Sequence, residues 1–438
     1  MKGNTTDTER SERVSTKQHR IAELARRHPE PASTALNHDL DMDWLHEAYR
    51  RTRKDGAPGV DEQSAAEHAQ DLAQNLQGLL DRAKVGTYRA PPVKRGYVPK
   101  DANEKRPIGM PTFEDKVLQR AVVMVMEPIY EQEYKDCSHG FRPNHSAHQA
   151  LESLWRQIMR MGGCWLIDAD ITKFFDTLDK GHLRTFLDRR VRDGVIRRLI
   201  DKWLKAGVLE AGAVEHPELG TPQGGVISPL LSNIYLHEVL DRWFVEQIVP
   251  RLRGRAFLIR YADDFVMGFE RQEDAQRVLA VLAKRLGKYG LHLHPDKTRL
   301  VDLRPPAQGA GGGTFNFLGF THHWAKSRKG RWYVQRETMS KRLTRAVNSI
   351  GAYCRKARSL PVADQWKMLC QKVRGHYAYY GITGNAQALA TFREFAGRRW
   401  QYWLNRRSRT RDMPWSRFNR LLARYPLPAP RVVHSVYA

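Results

Sequence analysis

The chain has 438 residues and a formal net charge of +25, with 41% apolar and 10% aromatic residues. That is enough apolar surface for a large core, and about three structural units by length. No apolar run approaches the roughly 18 residues of a membrane span, the polar start MKGNTTDTERSERVSTKQHR lacks the apolar segment of a secretory signal, and four widely spaced cysteines (Cys137, Cys164, Cys354, Cys370) argue against a disulfide framework or zinc knuckle and suit a reducing cytoplasm.

Charge is unevenly spread. Residues 326–438 hold 25 Lys and Arg against Glu337, Asp364, Glu394 and Asp412, a net +21, whereas residues 1–325 net +4. Such asymmetry predicts a polyanionic partner, most simply nucleic acid. Aromatic residues interleaved with those arginines speak against a merely solubilising surface.

Residues 1–38 are polar and punctuated by His28-Pro29-Glu30-Pro31. They predict a short helix near 18–27 and otherwise flexible chain. From 40 to 136 helical patterns alternate with short loops, and Asp55-Gly56-Ala57-Pro58-Gly59-Val60-Asp61 is a turn cluster. Residues 164–171 (CWLIDADI) have strand character, and 183–199 have helical spacing. After Gly220-Thr221-Pro222, residues 223–245 predict one long helix. Residues 256–269 (AFLIRYADDFVMGF) predict two short strands around a polar centre. Ala275, Val278, Leu279, Leu282 and Leu286 fall at helical spacing, and 291–303 partly alternate. The order β-α-α-β-β-α-β predicts an α+β sheet with helices on one face. The Gly-rich stretch 308–313 predicts a loop. Beyond it, helices are expected at 339–356, 362–380, 386–406 and 415–424, and Pro-rich extended chain at 426–438.

The sharpest chemical feature is Tyr261-Ala262-Asp263-Asp264-Phe265. Adjacent carboxylates at the tip of an apolar hairpin resist joint ionisation, and a divalent cation removes the conflict. The hairpin alone offers too few ligands, so a carboxylate from another strand is expected. Asp168 and Asp170 end the CWLIDADI strand at the same sheet edge. Two metals about 3.5–4 Å apart stabilise the attacking and leaving oxygens of phosphoryl transfer. Hard oxygen ligands favour Mg²⁺.

YADD with a preceding strand aspartate resembles the palm of a reverse transcriptase, and the surrounding motifs are similar to those of bacterial group II intron-encoded proteins. Along the chain these are Gly56-Ala57-Pro58-Gly59-Val60-Asp61, Val98-Pro99-Lys100, Lys105-Arg106-Pro107-Ile108-Gly109-Met110-Pro111-Thr112 and Ser138-His139-Gly140-Phe141-Arg142-Pro143. Then come Asp170-Ile171, Phe174-Phe175-Asp176, the run from Gly220 to Leu230 (GTPQGGVISPL), the run from Leu293 to Arg299 (LHPDKTR), and Phe317-Leu318-Gly319-Phe320. The late segment KVRGHYAYY, Lys372 to Tyr380, resembles the maturase, or thumb, domain.

The resemblance implies an α+β right-hand polymerase of fingers, palm and helical thumb with a basic C-terminal helical segment. Its expected divisions are a flexible extension at 1–38, fingers at 39–162, palm at 163–325, thumb at 326–400 and a nucleic-acid-binding segment at 401–438. Asp170, Asp263 and Asp264 match the catalytic carboxylates and, with the Ile171 carbonyl, the ligands of two Mg²⁺ ions. Asp168, one pleat away, is expected to be a strand-edge acid and not a ligand. Lys100 and Arg106 match residues that grip the dNTP triphosphate, as Lys and Arg suit phosphate differently; Lys105 is expected to be solvated. Phe175 would stack under the deoxyribose and exclude a 2′-hydroxyl, with Phe174 turned into the core. Gln223 and Gly224-Gly225 fit a close approach of backbone to a base pair, although the glycines would equally serve a turn into a helix. Arg142, Arg374, Arg398, Arg399, Arg406, Arg407, Arg409 and Arg411 are the expected nucleic-acid contacts.

The implied activity is RNA-directed DNA synthesis in a bacterial, cytoplasmic ribonucleoprotein. Its partners would be an intron RNA, an RNA template, a DNA primer or target and dNTPs, with no membrane and no zinc. It would assist splicing and copy the intron into DNA during retrohoming. The cysteines do not supply the paired spacing of the zinc-bearing endonuclease domain that some members carry, so that domain is expected to be lacking. Two other readings compete: another bacterial reverse transcriptase (retron, diversity-generating or defence-associated), or a splicing factor without catalysis. Intact Asp170, Asp263 and Asp264 argue against the second.

Overall fold

In the computed structural model, which describes residues 2–28, 30, 33–99, 105–210, 213–215, 219–220, 224–306, 311–407 and 413–436, helix α1 spans Lys2–Arg27. It is far longer than the helix expected at 18–27. Among its described side chains Val14, Ile21 and Ala25 are the buried ones, so a polar composition conceals a helix that docks along one narrow edge. The Gln18 amide donates to the Met124 carbonyl at 3.0 Å, and the Ser11 hydroxyl to Glu47 at 2.9 Å. The segment expected to be flexible is thus tied into the fold.

Next come α2 (Met42–Arg51), α3 (Ala65–His68), α4 (Leu72–Val85), the strands β1 (Val93–Pro99) and β2 (Lys105–Met110), α5 (Phe113–Tyr130) and α6 (Ala147–Met161). Strand β3 (Cys164–Ala169) precedes α7 (Phe174–Thr177), α8 (Lys180–Asp188) and α9 (Gly194–Lys205). The single helical stretch expected over 183–199 is broken, because Asp193 caps α9 by accepting from the Val195 and Ile196 amides. Strands β4 (Val208–Glu210) and β5 (Ala213–Glu215) lead to α10 (Ser228–Leu236). The helix expected from 223 begins at Ser228, with Pro229 in its first turn. It continues as wider, π-type helix through Ile248. Then follow β6 (Ala256–Tyr261), β7 (Asp264–Phe269), α11 (Gln272–Gly287) and β8 (Arg299–Leu303). The last part holds β9 (Phe315–Phe317), β10 (Phe320–Lys326), β11 (Trp332–Thr338), α12 (Ser340–Lys356), α13 (Val362–Tyr380), α14 (Ala386–Asn405) and α15 (Trp415–Arg424).

The chain divides into two compact units. One comprises Met1–Ser146, Ala169–Val266 and Gln276–Thr298; the other comprises Ala147–Asp168, Met267–Ala275 and Arg299–Ala438. In the first unit α5 is the central helix, buried on nearly all sides, with Thr112 capping it through the Asp115 amide. Strands β1 and β2 pair antiparallel, Val98 opposite Arg106, in a sheet of order β2-β1-β4-β5. This hairpin lies where only helices and loops were expected between 40 and 136. In the second unit β3 and β8 pair antiparallel, with Asp168 opposite Arg299.

In the second unit β9, β10 and β11 form a three-stranded antiparallel sheet. It was not legible because His322 interrupts the apolar alternation, yet that ring is fully buried and stacks on Phe315 at 4.6 Å. The four C-terminal helices fall within a residue of their expected spans. One apolar cluster holds them together: Val347, Leu369, Leu389, Trp400, Phe418 and Leu427 all belong to it. The expected division after residue 400 therefore falls inside α14 and inside one core. No described helix is long and apolar enough to cross a membrane.

Candidate active site

Strands β6 and β7 meet at Ala262-Asp263, and Ala262 adopts a left-handed conformation with φ of 57°. A non-glycine residue there is strained, and the turn it makes leaves Asp263 half-buried and Asp264 exposed at the start of β7. Asp170 follows β3 directly. Its backbone carbonyl accepts from the His294 amide at 2.7 Å, and the Thr172 amide donates to the His292 carbonyl at 2.8 Å. That pairing does not use the Ile171 carbonyl, and the Ile171 side chain is buried.

Asp263 and Asp170 act on one another electrostatically. Burial pushes the Asp263 carboxyl above its ordinary value; the Arg106 guanidinium offsets part of this, and the Asp170 charge adds to it. Two half-buried carboxylates that resist joint ionisation, with hard oxygen donors, fit a divalent cation. Asp170 already carries a substitute cation, as the Lys297 ammonium donates to its Oδ2 at 2.6 Å. Sequence reasoning missed Lys297. It lies in the Leu293–Arg299 segment that carries the resemblance, but nothing in a sequence pairs it with a residue 127 positions away.

The ammonium and a metal compete for the same oxygen. Lys297→Ala is therefore expected to tighten Mn²⁺ binding to the free protein about fivefold, the weight of one partly exposed ion pair. Calorimetric titration checks it; unchanged affinity would make the pair a surface contact without influence on the site.

Asp168 pairs with Arg299 across the β3–β8 ladder at 3.2 Å. Arg106 lies on β2 and is exposed, as is Lys105. Phe174 is buried and packs edge-on to Tyr235, with ring centroids 6.4 Å apart, while Phe175 is 8% exposed and stands edge-on to Phe174. Both lie in a short helical turn, 174–177. Gly224, with φ of 110°, approaches the hairpin: a Cβ there would lie 2.3 Å from the Gly109 carbonyl oxygen. That close packing accounts for the glycine within the protein itself. Lys100 and Gln223 lie outside the described residues.

Arg142, an expected phosphate contact, is engaged within the protein. Its side chain is 7% exposed, and the guanidinium donates to Glu131 at 2.9 Å and to the Ser138 carbonyl at 2.7 Å. It ties its own loop to α5's end rather than facing solvent. Arg374, Arg398, Arg399, Arg406 and Arg407 are exposed on the C-terminal helices and just beyond. Arg398 pairs with Glu394, Arg406 lies 4.0 Å over the Tyr402 ring, and Arg407 donates to the Ser359 carbonyl at 3.1 Å. Arg409 and Arg411 lie outside the described residues. A further cluster of Glu133, His237 and Glu238 is an ion-pair knot: Arg190 holds Glu133 at 2.6 Å, and Arg189 and Arg242 hold Glu238.

A carboxylate hairpin and a strand-end aspartate, with an arginine of another β-hairpin in electrostatic reach, suit metal-dependent phosphoryl transfer. The family and sequence comparisons name the class. Residues 98–322 match the family described as reverse transcriptase (RNA-dependent DNA polymerase). The chain is 36% identical over 328 residues to Protein YkfC of Escherichia coli (strain K12), a match covering 67% of this chain and 83% of that protein. It is 38% identical over 223 residues to the group II intron-encoded protein LtrA of Lactococcus lactis subsp. cremoris, covering 48% of this chain but only 37% of LtrA. A solved structure of telomerase from Candida albicans with a fragment of telomeric RNA matches with a TM-score of 0.44 and 14% identity, over 78% of this chain and 63% of that one. The chain belongs to the reverse transcriptase family and is by class an RNA-directed DNA polymerase. Enzymes of this family use divalent metal ions and nucleic-acid partners.

Proposed function

We propose that this chain copies RNA into DNA with two Mg²⁺ ions held by Asp170, Asp263 and Asp264, and that it does so in a ribonucleoprotein with a group II intron RNA whose splicing it assists. The observation that carries the chemistry is the turn at Ala262, which sets Asp263 and Asp264 at the head of β7 with Asp170 and Arg106 in electrostatic reach of Asp263. When bound, the metals would lower the charge on the triphosphate and align the primer 3′-hydroxyl with the α-phosphate. The chain's own residues do the rest. Asp170, Asp263 and Asp264 would hold the metals through their carboxylates, and the Ile171 carbonyl would add an oxygen. Arg106 and Lys100 hold the triphosphate as a planar fork and a mobile point charge. Phe175 supports the sugar, and Gln223 lies by the templated base pair.

The intron assignment is supported by the intron-encoded relatives and by the thumb segment at Arg374-Gly375-His376-Tyr377. Sequencing the RNA that copurifies with the expressed protein from its own locus tests it. A folded intron RNA is the expected result; a short structured noncoding RNA would move the protein to a retron-like role.

Exposed arginines on the C-terminal helices would hold phosphates without reading sequence. Changing Arg374, Arg399, Arg406 and Arg407 together to Gln should weaken nucleic-acid binding and flatten its salt dependence by up to about 3–4 units of log K per log salt on duplex DNA. Low-salt extension of a preannealed primer should largely persist. Wild-type affinity and slope in this variant would place the binding surface elsewhere.

A further inference from the structure

Arg260 is fully buried one residue before the YADD segment. A guanidinium has five N–H donors, and here each has a partner. Nε donates to Asp241 Oδ1 at 2.8 Å. One terminal nitrogen donates to Asp241 Oδ2 at 2.6 Å and to the Ser138 hydroxyl at 2.7 Å. The other donates to Asn233 Oδ1 at 3.0 Å and to the Ala262 carbonyl at 2.9 Å. The last bond reaches the residue whose φ of 57° makes the turn. The Arg260 backbone is clamped as well: its amide donates to the Cys137 carbonyl at 2.7 Å, and its carbonyl accepts from the His139 amide at 2.9 Å.

The far side of the turn is closed with equal tightness. A Cβ on Gly140 would lie 2.2 Å from the Ala262 nitrogen, so only glycine lets the backbone come so near. The Gly140 carbonyl in turn accepts from the Asn233 amide at 2.7 Å. Asn233 thus links the guanidinium to the glycine that presses on the turn.

A buried charge pair adds little net stability over an apolar pair of similar size. Its value here lies in geometry, since a planar five-donor fork fixes several groups at once.

We infer that Arg260, held by Asp241, Asn233 and Ser138, is a positioning residue that keeps Ala262 left-handed and so sets the angle at which Asp263 meets the metal. The inference rests on the polymerase reading above. It gives the Ser138-His139-Gly140 segment a role of its own, as the outer wall of the catalytic turn.

The test replaces the pair without leaving a lone buried charge: Arg260→Met with Asp241→Leu. This double variant should unfold cooperatively near the wild-type temperature. Its Mn²⁺ affinity by calorimetry should fall about tenfold, as expected from one lost charge-assisted hydrogen bond at the turn, and extension on a primed RNA should shift to higher Mg²⁺ by a similar factor. Adding Ala262→Gly, which makes the left-handed conformation unstrained, should recover part of the Mn²⁺ affinity; a purely structural role of the pair would not respond to this change. Should the double variant not fold, Arg260→Lys keeps a charge opposite Asp241 but loses the fork, and should shift Mn²⁺ affinity in the same direction. A folded variant that binds Mn²⁺ as the wild type does would overturn the inference while leaving the polymerase reading intact, as would an affinity loss that Ala262→Gly leaves untouched. A wild-type protein that binds Mn²⁺ but never extends a primer would instead overturn the polymerase reading.

Discussion

Asp263→Asn is expected to abolish DNA synthesis, with a loss of about three orders of magnitude, as for removal of one preorganised charge from a reacting centre. The amide has the shape of the acid but none of the charge that would hold a divalent cation. Folding should survive, and the sign of the Asp263 shift says more. Burial raises this carboxyl in the folded protein. Its contribution to stability is therefore present below the unfolded-state value and is lost as pH rises through the folded-state value. At neutral pH without metal the Asn variant should melt no lower than wild type, and its advantage should shrink as pH falls through the raised folded-state value and be gone by about pH 4, the unfolded-state value. Thermal melts across that range, beside extension assays in Mg²⁺, check both halves. Retained synthesis above about one part in thirty would detach Asp263 from the metals.

Phe175→Ala is expected to open the sugar site to ribonucleotides. Phe175 is 8% exposed, and Phe174 packs on it edge-on at 5.3 Å. Removing the ring deletes both the support beneath the deoxyribose and the bulk that a 2′-hydroxyl would strike. The efficiency ratio for dGTP over GTP should fall by roughly two orders of magnitude, mostly through gained use of GTP. Single-nucleotide incorporation on an RNA template measures it. An unchanged ratio would move the gate, with Phe174 the next residue to vary.

The elements that could be read from the sequence were those whose pattern is local. YADD between two apolar runs, the helical spacing of α11 and the four C-terminal helices each depend on neighbours within a few turns. The helix α1 was hidden because three apolar residues in a long polar stretch suffice when the partner surface belongs to α2 and α5. The β1–β2 hairpin was hidden because Lys94, Arg95 and Arg106 give it no apolar alternation. The β10–β11 pair was hidden by a buried His322. The same distinction holds in the site. The three aspartates of the proposed site stand out by type and spacing, whereas the tie of Arg142 to Glu131 does not show in the sequence. Arg260 and Lys297 gain their meaning only from Asp241 and Asp170, partners brought near by folding.

The central claim is that Asp170, Asp263 and Asp264 form a metal-dependent centre that copies RNA. Extension of a DNA primer annealed to an RNA template, with dNTPs and Mg²⁺, tests it most directly when wild type and Asp263→Asn are purified and run side by side. The account predicts full-length DNA from wild type, none after chelation of the metal, and none from the variant at equal RNA binding. Extension that survives chelation, or that the variant performs as well as wild type, would contradict it.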